Sequence, residues 1–252
     1  MNFKTFLLVF ALIGLASCKT NSHLYKIEGQ KISITDSLQP VTEIEEFIKP
    51  YRDYINKDLD SVLAYSVDTY SKSDGELNTA IGNLMADVVY DQANPVFISR
   101  TGNDIDFVVL NHGGIRSILS KGDVTTRSAF SLMPFENSIV VVKLNGNQVQ
   151  ELLNYLAKAK RAHPISKLQL VLDKNAKVAK ASVKEKPIDF NTFYYVATND
   201  YLYNGGDGMT FFKSDDNVTV LDYKIRNALI DYFKKVDTIS PVIDNRFIQL
   251  KN

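Results

Sequence analysis

Val196-Ala197-Thr198-Asn199-Asp200-Tyr201-Leu202-Tyr203-Asn204-Gly205-Gly206-Asp207-Gly208 runs from an apolar strand into a turn with three glycines around one aspartate. Phe193 to Ala197 reads as a buried strand that stops at Asn199-Asp200, and two tyrosines follow on alternate positions. Glycine permits positive φ and close approach of a ligand to the backbone. The arrangement sets flat aromatic faces and a carboxylate beside open main chain at a strand exit. A pocket for a planar, hydrogen-bonding molecule can be built that way; in isolation the same residues make an ordinary Asn-Gly turn with surface tyrosines.

Working outward, two more turns of this kind stand at strand boundaries. Phe107-Val108-Val109-Leu110 is a continuous apolar strand that runs into Asn111-His112-Gly113-Gly114-Ile115-Arg116. Ser128 to Met133 leads to Pro134-Phe135-Glu136-Asn137, and a β-branched strand follows over Ser138 to Leu144. Asn145-Gly146 is a turn signal before a helix over Gln148 to Ala159, with Val149, Leu152, Leu153 and Leu156 inward. Leu168–Leu172 and Val178–Val183 read as a hairpin across Asp173-Lys174-Asn175. Upstream, Glu76 to Gln92 is the clearest helix, with Leu77, Ala80, Ile81, Leu84, Met85 and Val88 on one face and Gly82 at a close packing contact. Val62 to Val67 and Gly122-Asp123-Val124-Thr125 give short strands, Ser71 to Gly75 a loop, and Lys224 to Lys235 a closing helix. Strands and helices mix without regular alternation, so the fold class is α+β, a mixed sheet packed with helices.

The amino terminus reads as a targeting segment. Lys4 supplies the positive region, and Phe6 to Ala16 is an apolar run too short to span a membrane. Leu15-Ala16-Ser17-Cys18 resembles a bacterial lipobox, in which Cys18, the only cysteine, becomes the lipid-modified first residue. The expected organisation is a signal peptide over 1–17, a flexible tether over 18–40 with Lys31–Ile34 as a short strand-like stretch, a helical lead-in over 41–61, and one domain over 62–248. In the lead-in, Val41, Ile44, Phe47, Ile48 and Tyr51 share a helical face, and Pro50 counts against simple continuation of that helix. Without another cysteine the mature chain forms no internal disulfide and no thiolate metal site. With 29 basic against 29 acidic residues, nothing suggests capture of a nucleic-acid polymer.

Asn-His-Gly-Gly-Ile-Arg, Gly-Asp-Val-Thr, Met-Pro-Phe-Glu-Asn with Val-Lys-Leu-Asn-Gly, and Ala-Thr-Asn-Asp-Tyr-Leu-Tyr-Asn-Gly-Gly-Asp-Gly, in that order, resemble the C-terminal domain of the 5′-nucleotidase family. Ile81-Gly82-Asn83-Leu84-Met85-Ala86-Asp87 resembles the helix that opens that domain, and the likeness covers roughly Val62 to Phe247. The resemblance implies a nucleotide-binding domain, the chemistry being carried in the family by a separate N-terminal metallophosphatase domain with two divalent metals. It implies that Phe135 and Tyr201, a tyrosine where phenylalanine is more usual, clamp the base. Stacking of this sort contributes about 1–3 kcal/mol per base. Asp207 would hold the ribose hydroxyls as a double acceptor. Asn111 and Arg116 would address the phosphate end or the nucleoside, and Gly113, Gly114, Gly205 and Gly206 would shape the ligand loops.

Two departures from the family pattern qualify this. Asp74-Gly75-Glu76-Leu77-Asn78 has no arginine where the family carries one for the phosphate. The three histidines, His23, His112 and His163, stand in no spacing that builds a two-metal site; His112 reads as a surface turn residue. No metal and no catalytic residue is therefore assigned to this chain. The expected function is the substrate-recognition half of a split nucleotide-hydrolysing enzyme, working with a separate metallophosphatase lipoprotein. It would be held by its lipid in the bacterial cell envelope, at the outer membrane. The alternatives are a capture lipoprotein for nucleosides or nucleotides and a scaffold with a vestigial pocket.

Overall fold

The computed structural model describes residues 24–35, 37–213 and 218–251, together with Asn2; the signal segment beyond Asn2, and Cys18, lie outside the described residues. The chain divides into two units, Met1–Ile48 and Lys49–Asn252. In the first, residues 24–35 carry no strand, so the expected strand at Lys31–Ile34 is not formed, and Ile32 and Ile34 are exposed. Two apolar positions in a polar stretch bury too little to hold a strand without a partner.

In chain order the elements are α1 (Thr42–Leu59), β1 (Val62–Ser66), α2 (Ala80–Thr101), β2 (Phe107–Val109), β3 (Gly122–Thr125), α3 (Thr126–Leu132), β4 (Ser138–Asn145), α4 (Gly146–Ala159), β5 (Ile165–Ser166), β6 (Leu168–Leu172), β7 (Val178–Val183), β8 (Lys186–Pro187), β9 (Phe193–Asn199), α5 (Asp200–Tyr203), β10 (Val218–Lys224), α6 (Ile225–Phe233), β11 (Thr238–Ile239) and β12 (Phe247–Gln249). The central sheet has the order β10-β4-β9-β2-β5, flanked by β11-β1-β3 and β12-β6-β7-β8. The α+β class read from the sequence holds.

The central strands read as unbroken apolar runs because both of their faces are buried. Side chains alternate across a strand, so Val108, Ile139, Val141 and Ala197 enter one core with α2 and α6. Their neighbours Phe107, Val109, Val140, Val142 and Val196 enter a second core with α4, β6 and Phe247. Each fully buried side chain of this size contributes about 1.5–3 kcal/mol.

Two helices differ from expectation. α2 begins at Ala80 rather than Glu76, because Thr79 is its N-cap and its Oγ1 accepts from the Gly82 amide at 3.2 Å. It then continues through Pro95 to a left-handed Gly102. Proline removes one intrahelical bond, and burial of Val88, Val89, Ala93 and Phe97 along α2 offsets that loss. Gly82 does face a neighbour, with the Pro164 ring 3.5 Å from where a Cβ would stand. α1 likewise runs through Pro50 to Leu59. Its last turn is tied to α3 by Arg127, which donates to Asp60 Oδ1 at 2.6 Å and to Asn56 at 2.9 Å.

Candidate functional site

Strand register decides where the three turns meet. β4 and β9 are antiparallel, with Ile139 opposite Asn199, so the Pro134–Asn137 turn and the loop after β9 leave the same end of the sheet. β2 is parallel to β9, with Val108 opposite Ala197, which brings Asn111 to that end as well. β5 is antiparallel to β2, and β10 to β4, with Val109 opposite Ile165 and Lys224 opposite Ser138. His163 and Arg226 therefore join the same end from two further segments.

Asn199 organises the junction between two of the turns. It is fully buried, its Oδ1 accepts from the Leu202 amide at 2.8 Å to cap α5, and its Nδ2 donates to Asn111 Oδ1 at 2.9 Å. Asn111 is buried too, and its side chain lies against the following turn. A Cβ on Gly114 would stand 3.2 Å from Asn111 Oδ1 and 3.1 Å from Met133 Cε, which accounts for a glycine there. Arg116 is exposed, and its guanidinium lies over the Phe135 ring at 5.7 Å.

The glycine loop is fixed by tyrosines. Tyr201 Oη donates to Asp207 Oδ1 at 2.8 Å, and the Asp207 amide donates back to Tyr201 Oη at 3.2 Å. That hydrogen bond to a carboxylate pushes the Tyr201 phenol above its ordinary range. Tyr155, on α4, donates to the Asp207 carbonyl at 2.8 Å. Asp207 is left-handed at φ 53°, between Gly205 at φ 89° and Gly208 at φ 75°. The Tyr201 ring rests on Gly206, where a Cβ would come within 2.5–2.6 Å of three ring carbons. Tyr201 and Phe135 remain 45% and 41% exposed, enough for each ring to offer a stacking surface.

Behind these loops stand two histidines. His163 is buried, its Nδ1 lies 3.3 Å from the Leu110 carbonyl and 3.4 Å from the His112 amide, and its Nε2 has no partner among the described residues. Burial holds its pKa down to about 4. His112 is half-buried with Nδ1 3.2 Å from the Ala162 carbonyl, and burial lowers its pKa, so it is not the freely exposed turn residue the sequence suggested. Among the described residues no group of three or more His, Cys, Asp or Glu side chains is placed to hold a metal.

Arg226 supports the Phe135 turn. Its Nη1 donates to the carbonyls of Pro134 at 3.1 Å and Phe135 at 3.4 Å, and its Nη2 pairs with Glu136, which also pairs with Lys224. Sequence reasoning gave no role in the site to Asn199, Tyr155, His163 or Arg226. Only Asn199 carried a local signal, as an asparagine at a strand exit ahead of a short helix. A separate cleft of about 940 Å³, bordered by Asp87, Tyr90, Lys167, Lys184, Tyr232 and Arg246, contains none of the expected site residues.

The sequence profile described as "5′-nucleotidase, C-terminal domain" matches residues 60–214. The chain belongs to the 5′-nucleotidase family. It resembles a protein described as Cell wall protein Lmo0130 of Listeria monocytogenes, at 30% identity over 217 residues, covering 80% of this chain and 26% of that protein. The 5′-nucleotidase of Vibrio vulnificus is 26% identical over 230 residues, covering 87% of this chain and 38% of that protein. The crystal structure of a 5′-nucleotidase precursor from Thermus thermophilus superposes with a TM-score of 0.69 at 23% identity, over 82% of this chain and 43% of that one. The fold is thus shared with 5′-nucleotidases, and the chain spans less than half the length of each of these relatives.

Proposed function

We propose that this 5′-nucleotidase C-terminal domain binds nucleosides or nucleotides at the sheet end where its three turns converge. The base stacks on Phe135 and Tyr201, and Asp207 accepts from the sugar. The observation that carries the reading is that convergence: register brings two exposed aromatic rings and an exposed carboxylate, from separate family motifs, to one end of one sheet. Arg116, exposed beside Phe135, is a cation that could address a phosphate. Calorimetric and thermal-shift titration with AMP, adenosine and their guanine counterparts tests this, since a ligand of the folded state raises stability in proportion to RT ln(1 + [L]/Kd). Tyr201→Ala is expected to weaken binding roughly 5- to 150-fold, the loss of one stacked base. Unchanged affinity in that variant refutes the clamp, and no response to any of these ligands refutes the site. Equal affinities for adenosine and AMP would mark a capture protein that reads base and sugar alone.

A second reading is favoured by an apolar groove beside α1 and α3. In that reading, a separate metallophosphatase supplies the metals and this chain supplies the substrate grip. Tyr54, Ile55, Leu59 and Phe130 line a groove of about 470 Å³ between α1 and α3 that suits such a partner. Addition of this chain is expected to raise the nucleotide turnover of the partner metallophosphatase, and Phe130→Asp to abolish the increase. Turnover that is indifferent to the chain removes this reading.

A further inference from the structure

We propose that the groove between α4 and the β6–β7 turn binds phosphate-bearing anions, either free polyphosphates or the headgroups of anionic lipids. This is a second site, and it does not depend on the nucleoside reading above.

The first observation is one of charge. The chain has 29 basic and 29 acidic residues, yet between Lys158 and Lys186 nine basic residues stand against two acidic ones, Asp173 and Glu185. The overall balance conceals a strongly positive segment. The fold gathers part of that segment into a concave surface. A groove of about 610 Å³ is lined by Gln150, Asn154, Lys158 and Lys160 from α4 and its C-cap, and by Asn175 and Lys177 from the turn; three apolar residues complete the lining. No carboxylate lines it among the described residues.

Gln150, Asn154 and Lys158 recur every four residues and so form one row along α4. Gln150 Nε2 donates to Asn154 Oδ1 at 3.2 Å, which leaves the Asn154 amide nitrogen as a donor for a ligand. The acid of the turn is already engaged. Asp173 Oδ1 accepts from the amides of Asn175 and Lys177 at 2.8 and 2.9 Å. None of Lys158, Lys160 and Lys177 has a carboxylate within ion-pair distance among the described residues. The negative end of the α4 dipole favours Lys158 and Lys160, but it does not call for a third cation from the hairpin opposite. Lys160 also sits at φ 46°, a C-cap conformation that suits glycine or asparagine. Three ammonium groups around one concavity repel one another and focus a positive field there, which a multiply charged anion relieves. Ammonium groups act on phosphate as point charges, and the carboxamides add directed donors. The volume falls within the range of small-molecule sites, about 300–1,000 Å³, and admits several linked phosphates or a headgroup.

Titration calorimetry of the full chain with inorganic phosphate, pyrophosphate and tripolyphosphate tests this. Tripolyphosphate is expected to bind about tenfold or more tighter than inorganic phosphate, because it meets more than one ammonium group at once. Lys158→Ala and Lys177→Ala should each weaken it about tenfold, the loss of one charge-assisted hydrogen bond. Lys121→Ala removes the same charge elsewhere on the surface and should change it less than about twofold. Both groove lysines are exposed, so neither variant threatens the fold. Flotation with vesicles of phosphatidylglycerol and of phosphatidylcholine separates the two sources. Preference for phosphatidylglycerol that disappears in the Lys158→Ala/Lys177→Ala double variant assigns the groove to a lipid headgroup. Lysine-dependent tripolyphosphate binding without that preference assigns it to a free anion. The proposal is overturned if neither probe binds, if the groove variants bind as wild type does, or if Lys121→Ala costs as much as they do.

Discussion

Acidification from pH 6.5 to about 4 is expected to remove roughly 3 kcal/mol of folding stability, and His163→Phe to abolish most of that loss. His163 is buried, edge-on to Tyr155 with ring centroids 5.8 Å apart, and its Nε2 has no partner among the described residues. Burial disfavours the charged imidazolium and so holds the folded-state pKa near 4, against an ordinary 6.5. The Leu110 carbonyl and the Asp207 carboxylate oppose this, while His112 and Arg161 add to it. Between those two pH values the unfolded chain binds the proton and the folded chain does not, so stability falls as pH falls. Below about 4 both states are protonated and the contribution is spent. Denaturant melts at pH 7, 5 and 4 measure the effect. His112, whose pKa is also lowered by burial, leaves a residual slope in the variant. Identical acid sensitivity in wild type and His163→Phe would locate the loss elsewhere. Because His163 stands behind the loop that carries Asp207, ligand binding should weaken over the same pH range as the folded state does.

Much of this architecture was legible in local patterns, and most of the site's support was not. Runs such as Ser138–Leu144 and Phe193–Ala197 announce strands through their β-branched and aromatic content, and the hairpin across Asp173–Asn175 follows from its turn residues. Short strands such as β5, β8, β11 and β12 have two or three residues each and no periodicity to read. Pro50 counted against a helix that in fact runs on, and the helix read as ending at Gln92 continues through Pro95 to Thr101. Phe135, Tyr201 and Asp207 could be singled out from motifs, yet their placement at one sheet end depends on β9 being parallel to β2 and antiparallel to β4. That is a long-range property of pairing. Tyr155 and Arg226 could not be found at all from their neighbours in sequence. Each acts on a loop far along the chain, 52 residues away for Tyr155 and about 90 for Arg226.

Arg226→Ala is expected to cost roughly 2–4 kcal/mol of stability and to weaken nucleotide binding through Phe135, which Arg226 itself holds only by the backbone. The residue is 5% exposed, and its guanidinium stacks on Phe130 at 4.1 Å while donating to the carbonyls of Pro134 and Phe135. Removing it leaves those carbonyls without their charged donor and opens space beside Phe130. Glu136 is largely hydrated, so the cost comes from the carbonyls and the packing more than from the lost ion pair. Arg226→Lys keeps the charge and loses the planar fork that spans two carbonyls and a carboxylate, so it should rescue only part of the stability. The ion pair does leave a signature in pH. Hydrogen bonds from Lys224 and Arg226 hold the Glu136 carboxyl down to about 2, below its ordinary 4.5. A depressed carboxylate stabilises the fold above its unfolded pKa and loses that contribution as pH falls from 4.5 towards 2. This range lies below the one set by His163. Melts from pH 7 to 2 should therefore show two successive losses, the upper removed by His163→Phe and the lower reduced by Arg226→Ala. Loss of the upper step in Arg226→Ala, with the lower intact, would contradict both assignments.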